Sequence, residues 1–161
     1  MMKLSLLFVA VLAATSLDGA ARTDGPYDIK LLPTAAAPAA SGQARLVWAA
    51  SPFGIAVTAD GRARYDVQIT AAGLRGAESP GAAYVAWATS TDLAKWVRLG
   101  TVANGTTTVG HVDMNKFLLV ITAERDSSAL THDGPTVLHG TSPSGWLQSF
   151  LSHPLFRGIP Q

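Results

Sequence analysis

Residues 60–70 read DGRARYDVQIT, and this stretch decides the fold class. Asp60-Gly61 is a strong signal for a tight hairpin turn, because these residue types tolerate the positive φ angles that such turns require. Apolar and polar side chains then alternate along the chain. One face carries Tyr65, Val67 and Ile69, and the other carries Arg64, Asp66, Gln68 and Thr70. This period of two predicts an antiparallel strand with one buried face.

Short apolar runs bounded by turn residues continue on both sides of this strand. They predict further strands at residues 44–50, 54–58, 82–89, 95–102, 106–112, 116–124 and 136–139. The run from Phe117 to Ala123 does not alternate, which predicts a strand buried on both faces. This spacing is typical of a sandwich or barrel, and the expected fold is an all-β, antiparallel, immunoglobulin-like β-sandwich of about seven or eight strands. A short C-terminal helix over 145–152, or an extended tail, is expected after it.

The composition excludes several classes of function. A chain of 161 residues is the length of one domain. The formal charge of +1, with its basic residues scattered, gives no electrostatic footprint for nucleic acid. The absence of cysteine excludes disulfides, thiolate nucleophiles and cysteine-ligated metal.

The N-terminus has the order of a secretory signal. Lys3 supplies a positive charge, Leu4 to Leu17 is almost wholly apolar, and small residues follow up to Ala21. The apolar run, at ~1.5 Å per residue, reaches only about 21 Å, which is short of the ~30 Å hydrocarbon core. We therefore expect residues 1–21 to be a signal peptide cleaved after Ala21, with a retained N-terminal anchor as the alternative. The expected location is periplasmic or secreted, with membrane association through a partner or a retained N-terminus.

The remaining chain divides by composition. Residues 22–43 are rich in Ala, Pro and Gly and predict a flexible linker. Residues 44–140 hold the predicted strands. Residues 141–161 form a tail in which apolar side chains follow the last predicted strand.

The stretch from Tyr65 to Gly140 resembles the extracytoplasmic C-terminal domain of anti-sigma-K-type factors. The resemblance is carried by Ala72-Gly73-Leu74, Tyr84-Val-Ala-Trp87, Leu99-Gly100-Thr101, Val120-Ile-Thr122-Ala-Glu124 and Gly134-Pro135-Thr-Val137-Leu138-His-Gly140. It implies a β-sandwich in an extracytoplasmic setting. A signal sequence and linker stand here in place of that family's sigma-binding and transmembrane segments, so the resemblance does not imply sigma-factor binding. It supplies no catalytic residues.

No residue pattern indicates catalysis, a metal or a cofactor. The histidines His111, His132, His139 and His153 lack the close pairing of metal ligands. The segment from Gly140 to Gly145 lacks the spacing of a nucleophile elbow, and the carboxylates are dispersed. We therefore expect a protein that is not an enzyme. Trp87 and Trp96 lie on predicted strands and are expected in the core.

The tail is the predicted binding surface for a protein partner. Its aromatic and aliphatic residues are surplus to a sandwich already filled by its strand faces. The predicted partner-binding residues are Trp146, Phe150, Leu151, Leu155 and Phe156. The expected function is that of an accessory subunit of an envelope or membrane complex, such as a respiratory or photosynthetic one. The alternative is a secreted module that binds carbohydrate or metal.

Overall fold

The computed structural model describes residue 25 and residues 27–52, 56–75 and 82–143. These residues form eight strands: β1 Asp28–Pro33, β2 Ser41–Trp48, β3 Tyr65–Ala72, β4 Ala83–Thr89, β5 Trp96–Val102, β6 Gly105–Val112, β7 Leu118–Glu124 and β8 Thr136–Thr141. The all-β prediction is confirmed, and so are most of the predicted strand positions. The predicted strand at 54–58 is wrong in its described part, where only an isolated bridge joins Val57 to Ala63.

The strands form one sheet in the order β5-β4-β7-β8-β1-β2-β3-β6, and every paired neighbour is antiparallel. The edge strands β5 and β6 lie side by side. A methyl group at Gly110 of β6 would come within 2.8 Å of the Leu99 carbonyl oxygen on β5. The sheet is therefore nearly closed and barrel-like, and the prediction of a two-sheet sandwich needs correction.

Strand β1 is the physical reason for this closure. Its first four residues pair with β2, from Asp28 opposite Arg45 to Leu31 opposite Gly42. Its last two residues pair instead with β8, where Leu32 lies opposite His139. One strand thus joins what would otherwise be two sheets. This differs from the linker predicted at 22–43, because residues 28–33 form a strand whose Ile29 and Leu31 are buried.

The interior follows the alternation seen in the sequence. The predicted inward residues Tyr65, Val67 and Ile69 are buried in the main core. Leu99 and Val102 also both reach that core, although three positions separate them. A bulge at β5 explains this, since the register shifts opposite Ala86 and Gly100 has a φ of 150°. The bulge restores the inward direction for both side chains.

A second apolar layer lies on the outer face of β4 and β7, as the prediction of a strand buried on both faces requires. We call it the outer cluster, and its members on the sheet are Val85, Trp87, Val120, Thr122 and Glu124, all buried. The loop after β7, residues 125–135, folds back over this face. The burial of β7 on both faces is therefore confirmed, and the loop of residues 125–135 covers its outer face.

The two ends of the sheet carry different loops because the strands alternate in direction. The chain enters β1 and leaves β8 at one end, which we call the terminal end. This end also holds residues 49–52, 56–64, 90–95 and 113–117. The opposite end, which we call the loop end, holds residues 34–40, 73–75, 103–104 and 125–135. At the terminal end, rings of Tyr27, Trp48 and Tyr65 pack together, with Trp48 and Tyr65 centroids 4.6 Å apart.

Candidate functional site

The turn from β4 to β5 displays an exposed leucine in a costly conformation. Leu93 has a φ of 59° and is 54% exposed. A non-glycine residue in this left-handed region costs about 1 kcal/mol. An exposed apolar side chain offers no burial to offset that cost, so the surrounding turn must hold it.

Hydrogen bonds of the turn hold Leu93 in place. The Ser90 hydroxyl donates to Asp92 Oδ1 at 2.5 Å and accepts from the Lys95 amide at 3.0 Å, and the Leu93 amide donates to the Ser90 carbonyl at 2.9 Å. The Ser90 hydroxyl and the Ala94 amide lower the pKa of Asp92 by stabilising its charged form. The hydrogen bonds of the turn thus hold Leu93 in its exposed position.

Trp96 connects this turn to the loop over the outer cluster. Its indole N–H donates to the Leu93 carbonyl at 2.9 Å. Its ring stacks on His132, with centroids 3.6 Å apart and planes 13° apart. Leu130, two residues before His132, is 86% exposed. We call Leu93, Trp96 and Leu130 the leucine surface.

The loop that carries Leu130 is anchored at several points. The Arg98 guanidinium donates to the carbonyls of Ser127 and Ala129, at 2.6 and 2.9 Å. Beneath the loop, the Trp87 indole donates to Thr122 Oγ1 at 2.8 Å, and the Thr122 hydroxyl donates to Glu124 at 2.5 Å. The presentation of Leu130 therefore depends on an ordered loop.

Thr141, the last residue of β8, is aligned across the strands with Trp96 of the leucine surface. Thr141 pairs with Leu118, Leu118 with Thr89, and Thr89 with Trp96. Thr141 and Trp96 are therefore three strand spacings of ~4.8 Å apart, or about 14 Å. The predicted partner-binding residues Trp146, Phe150, Leu151, Leu155 and Phe156 follow this exit and lie outside the described residues, as does the predicted helix at 145–152.

The loop end holds two adjoining cavities. The first, of about 470 Å³, is walled by small residues of the β1–β2 loop and the start of β4, and Arg75, Glu124 and Arg125 also line it. The second, of about 430 Å³, lies beneath the loop after β7 and is lined by Glu124, Arg125, Asp126 and Asp133 among others. The two cavities share Ala123, Glu124, Arg125 and Pro135.

The outward face of β1, β2, β3 and β6 is polar. It contains a cleft of about 220 Å³ lined by Asp28, Gln43, Arg45, Gln68, Thr70 and Thr106. Arg45 makes a two-point ion pair with Asp28, at 2.8 and 3.2 Å. Trp48 and Tyr65 lie on the opposite, interior side of these strands, so the cleft and the aromatic rings do not form one stacking platform for a sugar.

The histidines and tryptophans singled out in the sequence are separated in space. His111 contacts Arg64, His132 stacks on Trp96, and His139 is exposed on β8. Across residues 27–52, 56–75 and 82–143, no three His, Asp or Glu side chains come together as metal ligands. Trp87 is buried in the outer cluster and Trp96 is half-buried at its edge.

Comparison with known proteins gave no match: no protein-family model, no curated protein and no solved structure matches this chain. Within the part of the chain that the structure describes, no helix is long and apolar enough to cross a membrane. Sequence reasoning missed the leucine surface and the paired cavities. The one sequence feature that indicates the leucine surface is the presence of Leu93 and Leu130 within otherwise polar turns.

Proposed function

We propose that this protein is a non-enzymatic, extracytoplasmic β-protein that acts by contact with another protein, as an accessory subunit of a larger envelope or membrane complex. The observation that carries the proposal is Leu93, exposed and held at a positive φ. An apolar side chain kept in this way has its use at an interface, where burial can offset its conformational cost.

The chain's own topology supports a single contact region. The leucine surface and the exit toward the apolar tail lie in one row at the terminal end. Aromatic and aliphatic anchors at the centre of an interface commonly provide most of the binding energy. In this proposal the tail residues and the leucine surface contact the same partner.

The extracytoplasmic setting of the proposal rests on the N-terminal signal and on the resemblance to the anti-sigma-K-type domain. The same signal gives a direct prediction. Protein recovered from the envelope fraction should begin near Arg22, since the small residues before it suit a signal peptidase. Intact-mass measurement checks this, and a mass that includes Met1 would show a retained anchor instead of a cleaved signal.

The Leu93→Asp variant tests the contact. A charge on the leucine surface should weaken capture of the partner complex at least tenfold, because a desolvated carboxylate at an interface is costly. The matched control is Leu32→Asp, which alters a leucine on β1 that is 46% exposed. Quantitative pull-down from native membranes compares the two variants. Equal capture by Leu93→Asp and the wild type would refute the role of this surface.

A Leu93→Gly variant separates binding from stability. Glycine adopts the positive φ without penalty, so the free energy of unfolding should stay equal or rise by up to about 1 kcal/mol. Capture of the partner should nevertheless fall, because the side chain is lost. Chemical denaturation and the same pull-down measure both quantities. A variant that loses stability and binding together would indicate that Leu93 is needed by the fold.

A further inference from the structure

Two side chains of the leucine surface are held at the exterior of the sheet. Leu93 is 54% exposed and Leu130 is 86% exposed. The Leu93 amide is bonded to the Ser90 carbonyl, and the guanidinium of Arg98 holds the loop that carries Leu130. The described part of the chain therefore leaves more than half of each leucine uncovered. Exposed apolar groups that the fold holds in place indicate a contact with a further segment or a partner.

The tail, residues 144–161, begins close to the leucine surface. Thr141 is aligned with Trp96 across three strand spacings, about 14 Å. An extended chain spans at most ~3.6 Å per residue, so the five residues from Thr141 to Trp146 reach up to about 18 Å. Trp146 is therefore within reach of Trp96, and every later residue of the tail has a longer reach.

The composition of the tail is complementary to this surface. Its charged side chains comprise one arginine, Arg157, and neither Asp nor Glu. Beside Leu93, hydrogen bonds from the Ser90 hydroxyl and the Ala94 amide lower the pKa of Asp92 and keep it ionised. Asp92 forms no ion pair with any described residue, so a cation from the tail meets an available carboxylate. The large apolar residues of the tail are Trp146, Leu147, Phe150, Leu151, Leu155, Phe156 and Ile159.

Covalent attachment makes a weak contact between the tail and the leucine surface sufficient. A short flexible connection gives a tethered segment an effective concentration on the order of 1 mM. A contact with a Kd of about 0.1 mM between separate molecules would then be formed about ten times as often as it is broken. A second copy of the chain would need the same concentration in solution to compete. The geometry therefore favours the chain's own tail as the occupant.

We propose that in the free protein residues 144–161 cover the leucine surface of their own chain, and that the partner displaces them when it binds. This inference rests on the proposed function, which assigns the same two regions to the partner contact, and it adds that these regions contact each other beforehand. The contact keeps both apolar regions away from water until the partner arrives. Partner binding then has to break it, so the tail regulates its own interface.

Photo-crosslinking in the purified mature chain, with no partner present, tests the contact. A photoreactive amino acid at position 93 should crosslink to a peptide within residues 144–161, whereas the same group at position 32 on β1 should not. An equal mixture of isotopically heavy and light protein identifies the source of the tail. Crosslinks that join heavy to heavy and light to light confirm a contact within one chain. Mixed crosslinks would show a second copy on the surface, and either these or no crosslink to the tail would overturn the proposal.

Limited proteolysis of the same purified chain measures how often the tail is released. Chymotrypsin cleaves beside aromatic residues, and its rate follows the population of the open form when opening is fast. Leu130→Asp should speed cleavage within residues 144–161 about tenfold, because the charge opposes apolar cover. The matched control Leu32→Asp should leave the rate unchanged. Equal rates in Leu130→Asp and the wild type would overturn the proposal. Because no partner is present, this result is independent of the pull-down that tests the proposed function.

Discussion

Trp87→Ala is expected to lower the free energy of unfolding by about 3–5 kcal/mol. Trp87 is 2% exposed and lies between the outer face of β4 and the loop after β7. The substitution leaves a cavity in the outer cluster. It also removes the indole N–H that donates a hydrogen bond to Thr122 Oγ1. Because the loop rests on this cluster, its ordering and the presentation of Leu130 should also be lost.

Urea denaturation followed by far-ultraviolet circular dichroism measures this effect. The matched control is Trp48→Ala, since Trp48 is 38% exposed and should cost less, about 1–2 kcal/mol. Trp87→Phe keeps most of the apolar volume and removes the donor, so its effect should lie between the two. If Trp87→Ala costs no more than Trp48→Ala, the loop is not a packed cover for the sheet.

Deletion of Ser144 to Gln161 is expected to leave the sheet folded and to abolish association with the partner. The described members of the core and of the outer cluster all precede Ser144, and the Ser142 amide still donates to the Phe117 carbonyl at 2.9 Å. Truncation of a dominant interface anchor costs ~2 kcal/mol or more. Loss of only two such anchors would weaken binding by roughly 10³-fold.

Pull-down from native membranes with full-length and truncated protein measures this loss, and circular dichroism reports whether the truncated chain folds. A point variant, Phe156→Ala, removes one predicted anchor without shortening the chain and should give a partial loss. If the truncated protein unfolds, the tail belongs to the core. If it folds and still binds fully, the tail is not the contact.

The sequence predicted the strands well because local patterning controls them. The alternation from Tyr65 to Ile69 and the unbroken apolar run at β7 translate directly into burial on one face or two. Turn residues set the strand limits, as at Asn104-Gly105, where β6 begins with Gly105 at a φ of 99°. Such features depend on neighbours in the chain.

The arrangement of the strands depends on contacts between distant residues, which patterning does not encode. The Ala- and Pro-rich composition of residues 22–43 hid β1, although Ile29 and Leu31 alternate with Lys30 as a half-buried strand does. Without β1, nothing in the sequence joined the two halves into one sheet. The choice of sandwich over barrel failed for that reason.

The candidate surfaces were hidden for a similar reason. Leu93 and Leu130 are 37 positions apart in the chain. They are connected only through Trp96, which bonds to the Leu93 carbonyl and stacks on His132 of the loop that carries Leu130. Likewise, Arg75 follows β3 and Glu124 ends β7, and both line the first cavity at the loop end. The tail was predicted from sequence because its apolar residues lie close together in the chain, and its role stays a prediction.

Site-specific photo-crosslinking in the native envelope tests the central claim most directly. A photoreactive amino acid is placed at position 93 on the leucine surface, and at position 32 on β1 as a control of similar exposure. The account predicts a crosslink to one discrete protein from position 93, absent from position 32 and lost when Ser144 to Gln161 are deleted. A crosslink of equal yield from both positions, or none from position 93, would contradict it.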